Sequence, residues 1–427
     1  MDRLVIEGGR PLEGTVPTAG AKNAVLSLLT AALLTEEEVR IENVPDLVDV
    51  HTMIGILEGL GGEVSFEPGG VVRAKVGAIH DPVAPWDLVR KMRASFEVLG
   101  PLVARCGRAR VSYPGGCVLG LRPVDVHIKG LEALGARITT EGGDVVAEAP
   151  RGGLVGAEIY LGTASGSSVG ATRNVLMAAV LAKGTSVLEG VACEPEIVDL
   201  AQCLIKMGAK ILGAGSPTIV VEGVERLEGT CHRVIPDRIE AGTYITAGAI
   251  TGGRVRVTGC RPEHLSSFLE ALRAAGCPFE RGEDWVETQP RGSADRLQAT
   301  DVTTQPHPGF PTDLQAQWVS LMTLADGISL VTERIFSERY MHLSELLRLG
   351  AHVRRQNQTA IVEGIEGLSG AHLTANDLRG SAALVLAGLV ATGTTEVHRV
   401  YHIDRGYERI EERLRALGAN IRRESGD

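Results

Sequence analysis

The stretch LEGLGGEV, residues 57–64, decides how this chain folds, because it is the first of six copies of one phrase. The others are LEALGARI (131–138), LIKMGAKI (204–211), LRAAGCPF (272–279), LLRLGAHV (346–353) and LRALGANI (414–421), at successive offsets of 74, 73, 68, 74 and 68 residues. Each copy places apolar residues at helical spacing, then a glycine able to take the left-handed conformation that ends a helix, then a strand. Gly61, Gly135, Gly208, Gly276, Gly350 and Gly418 are the expected stops.

Between these phrases a second feature recurs, an Ala/Leu/Val-rich helix followed by an alternating strand, as in residues 24–44 and 381–400. Versions occur at 95–113, 169–190, 241–259 and 314–333. The unit is about 70 residues long, with one helix apolar nearly all round, one amphipathic helix, and strands between. A helix apolar on every face must be surrounded by protein, so these helices are expected inside and the sheets outside them. Six units exceed one core, and two domains of three units each fit the usual size limit. A solenoid of six stacked units is the alternative.

The chain has 427 residues and a net charge of −10, with 44% hydrophobic and 22% charged residues, which excludes disorder and a small disulfide-stapled scaffold. The acidic balance and 4% aromatics give no general footprint for nucleic acid. The seven cysteines form no C-x-x-C pair and no zinc-type spacing, so reduced thiols in the cytoplasm are expected. Residues 1–10 read as a short alternating strand, and no apolar run approaches the about 20 residues of a membrane span.

At the starts of the apolar helices stand Lys22-Asn23, Lys91 with Arg93, Ser167-Ser168, Asp237-Arg238, Thr312-Asp313 and Asp377 with Arg379. Helix N-termini carry free amide donors and partial positive charge, which suits phosphate and carboxylate ligands. Polar residues there are also ordinary caps. Lys22, Arg93, Arg238 and Arg379 are different, because they oppose the helix dipole and so make poor caps and good anion recruiters. A second set follows strands: Pro114-Gly115-Gly116-Cys117 with Arg122-Pro123-Val124-Asp125, and residues 401–406, YHIDRG. A cysteine on a Gly-Gly loop near an arginine suits a reactive thiolate, although a lone cysteine is also a common small core residue. No phosphate loop or dinucleotide fingerprint occurs in a strand–turn–helix context.

Taken together, GAKNA (20–24), MRAS (92–95), PGGC with RPVD (114–125), SVGAT (168–172), PDRIEAGTY (236–244), FPTDLQAQ (310–317), DLR (377–379) and YHIDRGYERI (401–410) closely resemble the enolpyruvyl transferases from end to end. The resemblance implies an α/β fold of two similar inside-out α/β barrel domains, one inserted at 22–235 and the other made of 1–21 and 236–427, with the active site in the cleft between them. It implies transfer of the enolpyruvyl group of phosphoenolpyruvate to the 3′-hydroxyl of UDP-N-acetylglucosamine, with release of phosphate, early in peptidoglycan synthesis. It further implies that Lys22, Arg122 and Arg405 hold phosphoenolpyruvate, with Asn23 and Arg93 beside them. Asp313 would be the base for the sugar hydroxyl, and Cys117 the thiol that adds to phosphoenolpyruvate and is alkylated by fosfomycin.

For the nucleotide sugar the matched positions are Arg122, Pro123, Val124, Asp125, Val126, Gly166, Ser167, Ser168, Val169, Asp313 and Ile335, and Arg339, Asp377 and Arg379 complete the substrate-binding set. No metal, cofactor, nucleic acid or membrane is expected, and the oligomeric state is left open. Three positions depart from the family: Val48 and Gly166 stand where some members carry lysine, and Arg173 replaces an uncharged or acidic residue on what reads as a solvated helix face. The PGGC…RPVD loop argues against the relative enolpyruvylshikimate-phosphate synthase. A family member that modifies another nucleotide in secondary metabolism, or a silent paralogue that only binds the nucleotide sugar, are the alternatives.

Overall fold

The computed structural model describes residues 2–114, 124–292 and 295–425. All six phrase glycines lie in the left-handed region, at φ of 92° for Gly61, 93° for Gly135, 102° for Gly208, 76° for Gly276, 86° for Gly350 and 94° for Gly418. Each is followed by the same pair of bonds. The glycine N–H reaches the carbonyl three residues back and the next N–H reaches the one five back, as in Gly61 to Glu58 at 2.9 Å and Gly62 to Leu57 at 2.8 Å. This double closure satisfies carbonyls that the helix end would otherwise leave free.

The apolar helices are Lys22–Ala31, Leu99–Cys106, Val169–Ala179, Arg238–Thr251, Gln315–Met322 and Leu378–Gly388. Five of them have interiors buried without a break, for example Ala171 to Ala179 and Ile239 to Ile250, and Leu99–Cys106 is buried over Leu99 to Val103. The amphipathic helices, such as Pro195–Lys206, bury one side only.

Among the described residues the six larger sheets follow one plan. The strand after an apolar helix pairs antiparallel with the second strand of a hairpin whose first strand follows a glycine stop, and its other edge takes a parallel strand. In one sheet Glu38–Glu42 lies between the hairpin of Glu63–Glu67 with Val71–Lys75 and the parallel strand Thr230–Arg233. Around Arg108–Ser112 the parallel partner shrinks to one bridge, Val83 to Arg110. In the sheet of Thr394–His398 the place of the hairpin's second strand is taken by Arg3–Glu7, which pairs antiparallel with both Thr394–His398 and Asn420–Glu424. The first residues therefore complete the sixth unit. This interior position also corrects the expected alternation of residues 1–10, because Leu4, Val5 and Ile6 are all buried.

Contacts divide the described residues into two compact units, 20–114 with 124–235, and 2–19 with 236–425. Each has its own apolar core, three of the buried helices and three of the six larger sheets. No described helix is long and apolar enough to cross a membrane.

Candidate active site

In the unit containing 236–425, two buried helices begin at an aspartate. Asp377 accepts from the backbone N–H groups of Arg379 at 3.1 Å and Gly380 at 3.2 Å, and Asp237 accepts from those of Ile239 at 2.8 Å and Glu240 at 3.0 Å. These carboxylates serve the helix ends. Glu333 is engaged in a similar way, accepting from the Thr304 hydroxyl at 2.7 Å and from the N–H groups of Ile335 at 2.8 Å and Phe336 at 2.9 Å. Asp313, in the single turn Thr312–Leu314, is the carboxylate that faces the arginines. It accepts from Arg339 Nη1 at 2.7 Å and lies 3.4 Å from Arg379 Nε. Arg339 also donates to the Thr312 hydroxyl at 2.9 Å, and Thr312 donates to Glu333 at 2.8 Å.

Burial works to raise the Asp313 pKa, but the guanidinium charges of Arg339, Arg379 and Arg238 outweigh it and hold the carboxyl well below the ordinary carboxylate range. Asp313 is thus ionised and, by the same token, a weak base until an anion offsets those charges. Arg379 is 1% exposed, and among the described residues its two terminal nitrogens have no hydrogen-bond acceptor of acceptable geometry; nor does Arg339 Nε. The Arg379 guanidinium lies 5.2 Å from the centre of the Tyr407 ring, whose hydroxyl meets Thr243 at 2.9 Å and Gln317 at 3.3 Å. Buried cationic donors with unused capacity fit an anionic ligand. His342 beside them is pushed down to about 4 by burial and by Arg339, against the pull of Asp377, and is neutral near pH 7.

The unit containing 20–114 balances its charges differently. Lys22 opens its helix with Nζ 2.9 Å from Asp49 Oδ2, both largely buried. Glu97 belongs to the 3-10 helix Arg93–Val98 that leads into Leu99–Cys106, and accepts from the Ser27 hydroxyl at 3.1 Å and from Arg173 Nη1 at 3.4 Å. Burial raises the Glu97 pKa, opposed by Arg173, Ser27 and Lys22. The expectation that Arg173 occupies a solvated face is therefore overturned. Its helix is enclosed from Ala171 to Ala179 and offers no such face, so the guanidinium pairs inward with Glu97. His127 closes the cluster, bonded to Asn174 at 3.0 Å and edge-on to Phe96.

Of the other expected site residues, Ser168 caps Val169–Ala179 through Ala171 N–H, and Val124 is buried just ahead of the helix Asp125–Ala133, on which Asp125 is exposed and Val126 half-buried. Gly166 and Ser167 form one arm of a two-residue hairpin with 162–163. Gly166 has φ 103°, a conformation a lysine rarely adopts, which accounts for glycine there. Val48 is half-exposed at the start of the helix that carries Asp49. Asn23, Arg93, Ile335 and Arg405 are half-buried, and the Arg405 charge helps to lower the pKa of His402, after burial. Cys117, Arg122 and Pro123 lie outside the described residues. Asp49, Glu97 and Tyr407 were not singled out from the sequence. Asp49 follows the flagged Val48, and Tyr407 lies inside the quoted YHIDRGYERI, so both had a signal; Glu97 had only an unusual charge within an apolar helix.

A two-unit α/β chain with buried arginines aimed past an ionised aspartate has the makings of a transferase for anionic substrates. The family model described as EPSP synthase (3-phosphoshikimate 1-carboxyvinyltransferase) matches residues 6–414, and the chain belongs to that family. It is 54% identical over 426 residues to UDP-N-acetylglucosamine 1-carboxyvinyltransferase of Anaeromyxobacter sp. (strain Fw109-5), covering 99% of this chain and 100% of that protein. It is 52% identical over 435 residues to the protein of the same name in Xanthobacter autotrophicus, covering 100% of both. Among solved structures, the enolpyruvyl transferase NikO from Streptomyces tendae matches with a TM-score of 0.88 at 26% identity, over 100% of this chain and 99% of that one. An EPSP synthase from Acinetobacter baumannii shares the fold, with a TM-score of 0.74 at 18% identity over 100% of both chains.

Proposed function

We propose that this chain transfers the enolpyruvyl group of phosphoenolpyruvate to the 3′-hydroxyl of UDP-N-acetylglucosamine and releases phosphate, the committed step into peptidoglycan. The observation that carries the substrate choice is the identity above half, along the whole chain, with proteins named for that acceptor. The reaction adds the sugar oxygen to C2 of phosphoenolpyruvate as C3 gains a proton, then expels phosphate as C3 loses one. Carboxylate, phosphate and a cation-like carbon coexist on the way, so the site needs fixed positive charge and little water. Arg379 and Arg339, with their unused buried donors, support this in one unit, and Lys22 in the other. That groups of both units serve one reaction is part of the reading.

In it, Lys22, Arg122 and Arg405 hold phosphoenolpyruvate, with Asn23 and Arg93 beside them. Arg339, Asp377, Ile335 and the segments 122–126 and 166–169 receive the nucleotide sugar. Asp313 takes the hydroxyl proton, its basicity restored when bound anions offset Arg339 and Arg379, and Cys117 serves the proton transfers or product release. The finer architecture, closure of each unit as an inside-out α/β barrel, and a cytoplasmic site of action belong to the same proposal. The test is phosphate release from phosphoenolpyruvate with different acceptors. Turnover with UDP-N-acetylglucosamine and little with shikimate 3-phosphate is the expected result; the reverse preference would overturn the reading.

A further inference from the structure

The sheet that receives the first strand brings together three metal-binding side chains from two strands, on either side in sequence of the buried helix Leu378–Gly388. His372 lies on the strand His372–Thr374, and Glu396 and His398 on Thr394–His398. The two strands pair in parallel with His372 opposite Glu396, and Glu396 and His398, two residues apart, share one face. His372 Nδ1 is 3.4 Å and His398 Nε2 3.5 Å from the same oxygen, Glu396 Oε2, and all three donor atoms lie within 4.8 Å of one another. In a tetrahedral zinc site with metal bonds of about 2.0–2.2 Å, donors stand about 3.3–3.5 Å apart. Two of the three separations thus already match, and the third needs only a small rotation of exposed histidine rings.

We propose that His372, Glu396 and His398 form a site for a divalent transition ion of the zinc class, with one coordination position left for solvent. Two imidazoles and one carboxylate suit zinc, and also nickel and copper, far better than magnesium or calcium, which prefer all-oxygen shells. The charges around the site allow it. Arg3 Nη1 now lies 3.1 Å from Glu396 Oε2, but Arg3 is also held by Glu424, through Nε at 3.1 Å and Nη2 at 2.8 Å, so it keeps a partner when Glu396 turns to the ion. Arg348 is occupied by the backbone carbonyl of His372 at 2.8 Å and lies 3.8 Å from Glu345. A bound ion would clip together the two strands that lead to Asp377 and to the 400–405 segment, beside the first strand of the chain.

Untagged, metal-free full-length protein titrated with zinc against a chromophoric chelator tests this. One equivalent should bind, at least tenfold more weakly in His372→Ala or His398→Ala, and be lost in the double variant. Both substitutions are on the surface, and circular dichroism reports whether each of the three variants folds. Cobalt provides a readout on the unaltered protein: visible bands of a tetrahedral ion without a sulfur charge-transfer band. Zinc binding unchanged in the double variant, or a sulfur band that places the ion on a cysteine, would overturn the assignment. Because the residues lie outside the proposed reaction site, phosphate release by the double variant should equal that of the unaltered protein whether or not the site exists.

Discussion

The two units carry charged clusters at the same place, the starts of buried helices, and solve the burial of charge in opposite ways. In the unit of residues 20–235 the cations face carboxylates, Lys22 with Asp49 and Arg173 with Glu97. In the other, Asp377, Asp237 and Glu333 are engaged by backbone N–H groups, and Asp313 is left to face Arg339 and Arg379. The carboxyl pKa values follow: Glu97 is raised because burial outweighs its partners, and Asp313 is lowered because its partners outweigh burial. Engaging acids with backbone donors therefore sets arginine donors free for a ligand, whereas the enclosed Arg173–Glu97 pair is a structural clamp.

The largest effect that this contrast implies is at Asp313. Asp313→Asn keeps the shape and removes the charge, so turnover should fall about 10²- to 10⁴-fold, the range for loss of a general base. With its counter-charge gone, the arginine pair should also bind inorganic phosphate more tightly, measurable by calorimetry. An unchanged rate would remove Asp313 from the chemistry, and unchanged phosphate affinity would mean that Arg339 and Arg379 do not face the anion.

The clamp in the other unit should answer differently. Arg173→Met leaves Glu97 buried without its cation, a change that typically costs about 3–5 kcal/mol. Stability of this variant should recover at acidic pH, where Glu97 takes up a proton. Adding Glu97→Leu should restore much of the loss at neutral pH, because two apolar groups can replace a buried pair. Turnover of the folded double variant at saturating substrate should stay within a few fold of the unaltered chain. A collapse of turnover without loss of stability would make this pair part of the site and dissolve the contrast.

A third acid, Glu240, tests the contrast at the border of its unit. Although it lies 3.9 Å from Arg413 and accepts from Ala19 N–H at 2.7 Å, burial pushes its carboxyl up to about 7. Between the unfolded value of 4.5 and 7 the folded chain holds a proton that the unfolded chain has released, so stability falls as pH rises through this window. The loss amounts to roughly 3 kcal/mol, at about 1.4 kcal/mol per pH unit. Glu240→Gln should flatten that slope in denaturant titrations from pH 4.5 to 7.5. An unaltered slope would show that Glu240 ionises as an ordinary glutamate.

How far these features were legible in the sequence depends on how local their causes are. A glycine stop is fixed by four or five neighbouring residues, so Gly61 and its five counterparts could be read directly, as could the aspartate that starts a helix at 237 or 377. Arg173 could not, because only the packing of three helices decides that its neighbourhood is closed and that Glu97 waits there. The role of the first strand was hidden for the same reason, since Arg3–Glu7 pairs with residues about four hundred positions away, and the His372, Glu396 and His398 group exists only once two strands lie side by side. The chemistry at Asp313 and Arg379 was half legible: their positions followed from the repeat, and the freedom of the arginine donors needed the structure.

The smallest expected effect probes what the two units share. Gly208 and Gly350 hold equivalent stops, at φ of 102° and 86°, and a Cβ at either would meet nothing within 4 Å. Alanine there adds no clash, so its cost is the strain of an L-residue in a left-handed conformation, about 1–2 kcal/mol. The two glycines serve different cores, so Gly208→Ala should weaken one unit and Gly350→Ala the other. If the units melt separately, calorimetry will show each substitution lowering one transition and sparing the other. If they melt together, both substitutions will shift a single transition and their effects will add, being far apart in the chain and in different cores. A much larger loss at one of them would mean that the stop carries more than backbone conformation there, and that the six repeats are not equivalent in energy as they are in geometry.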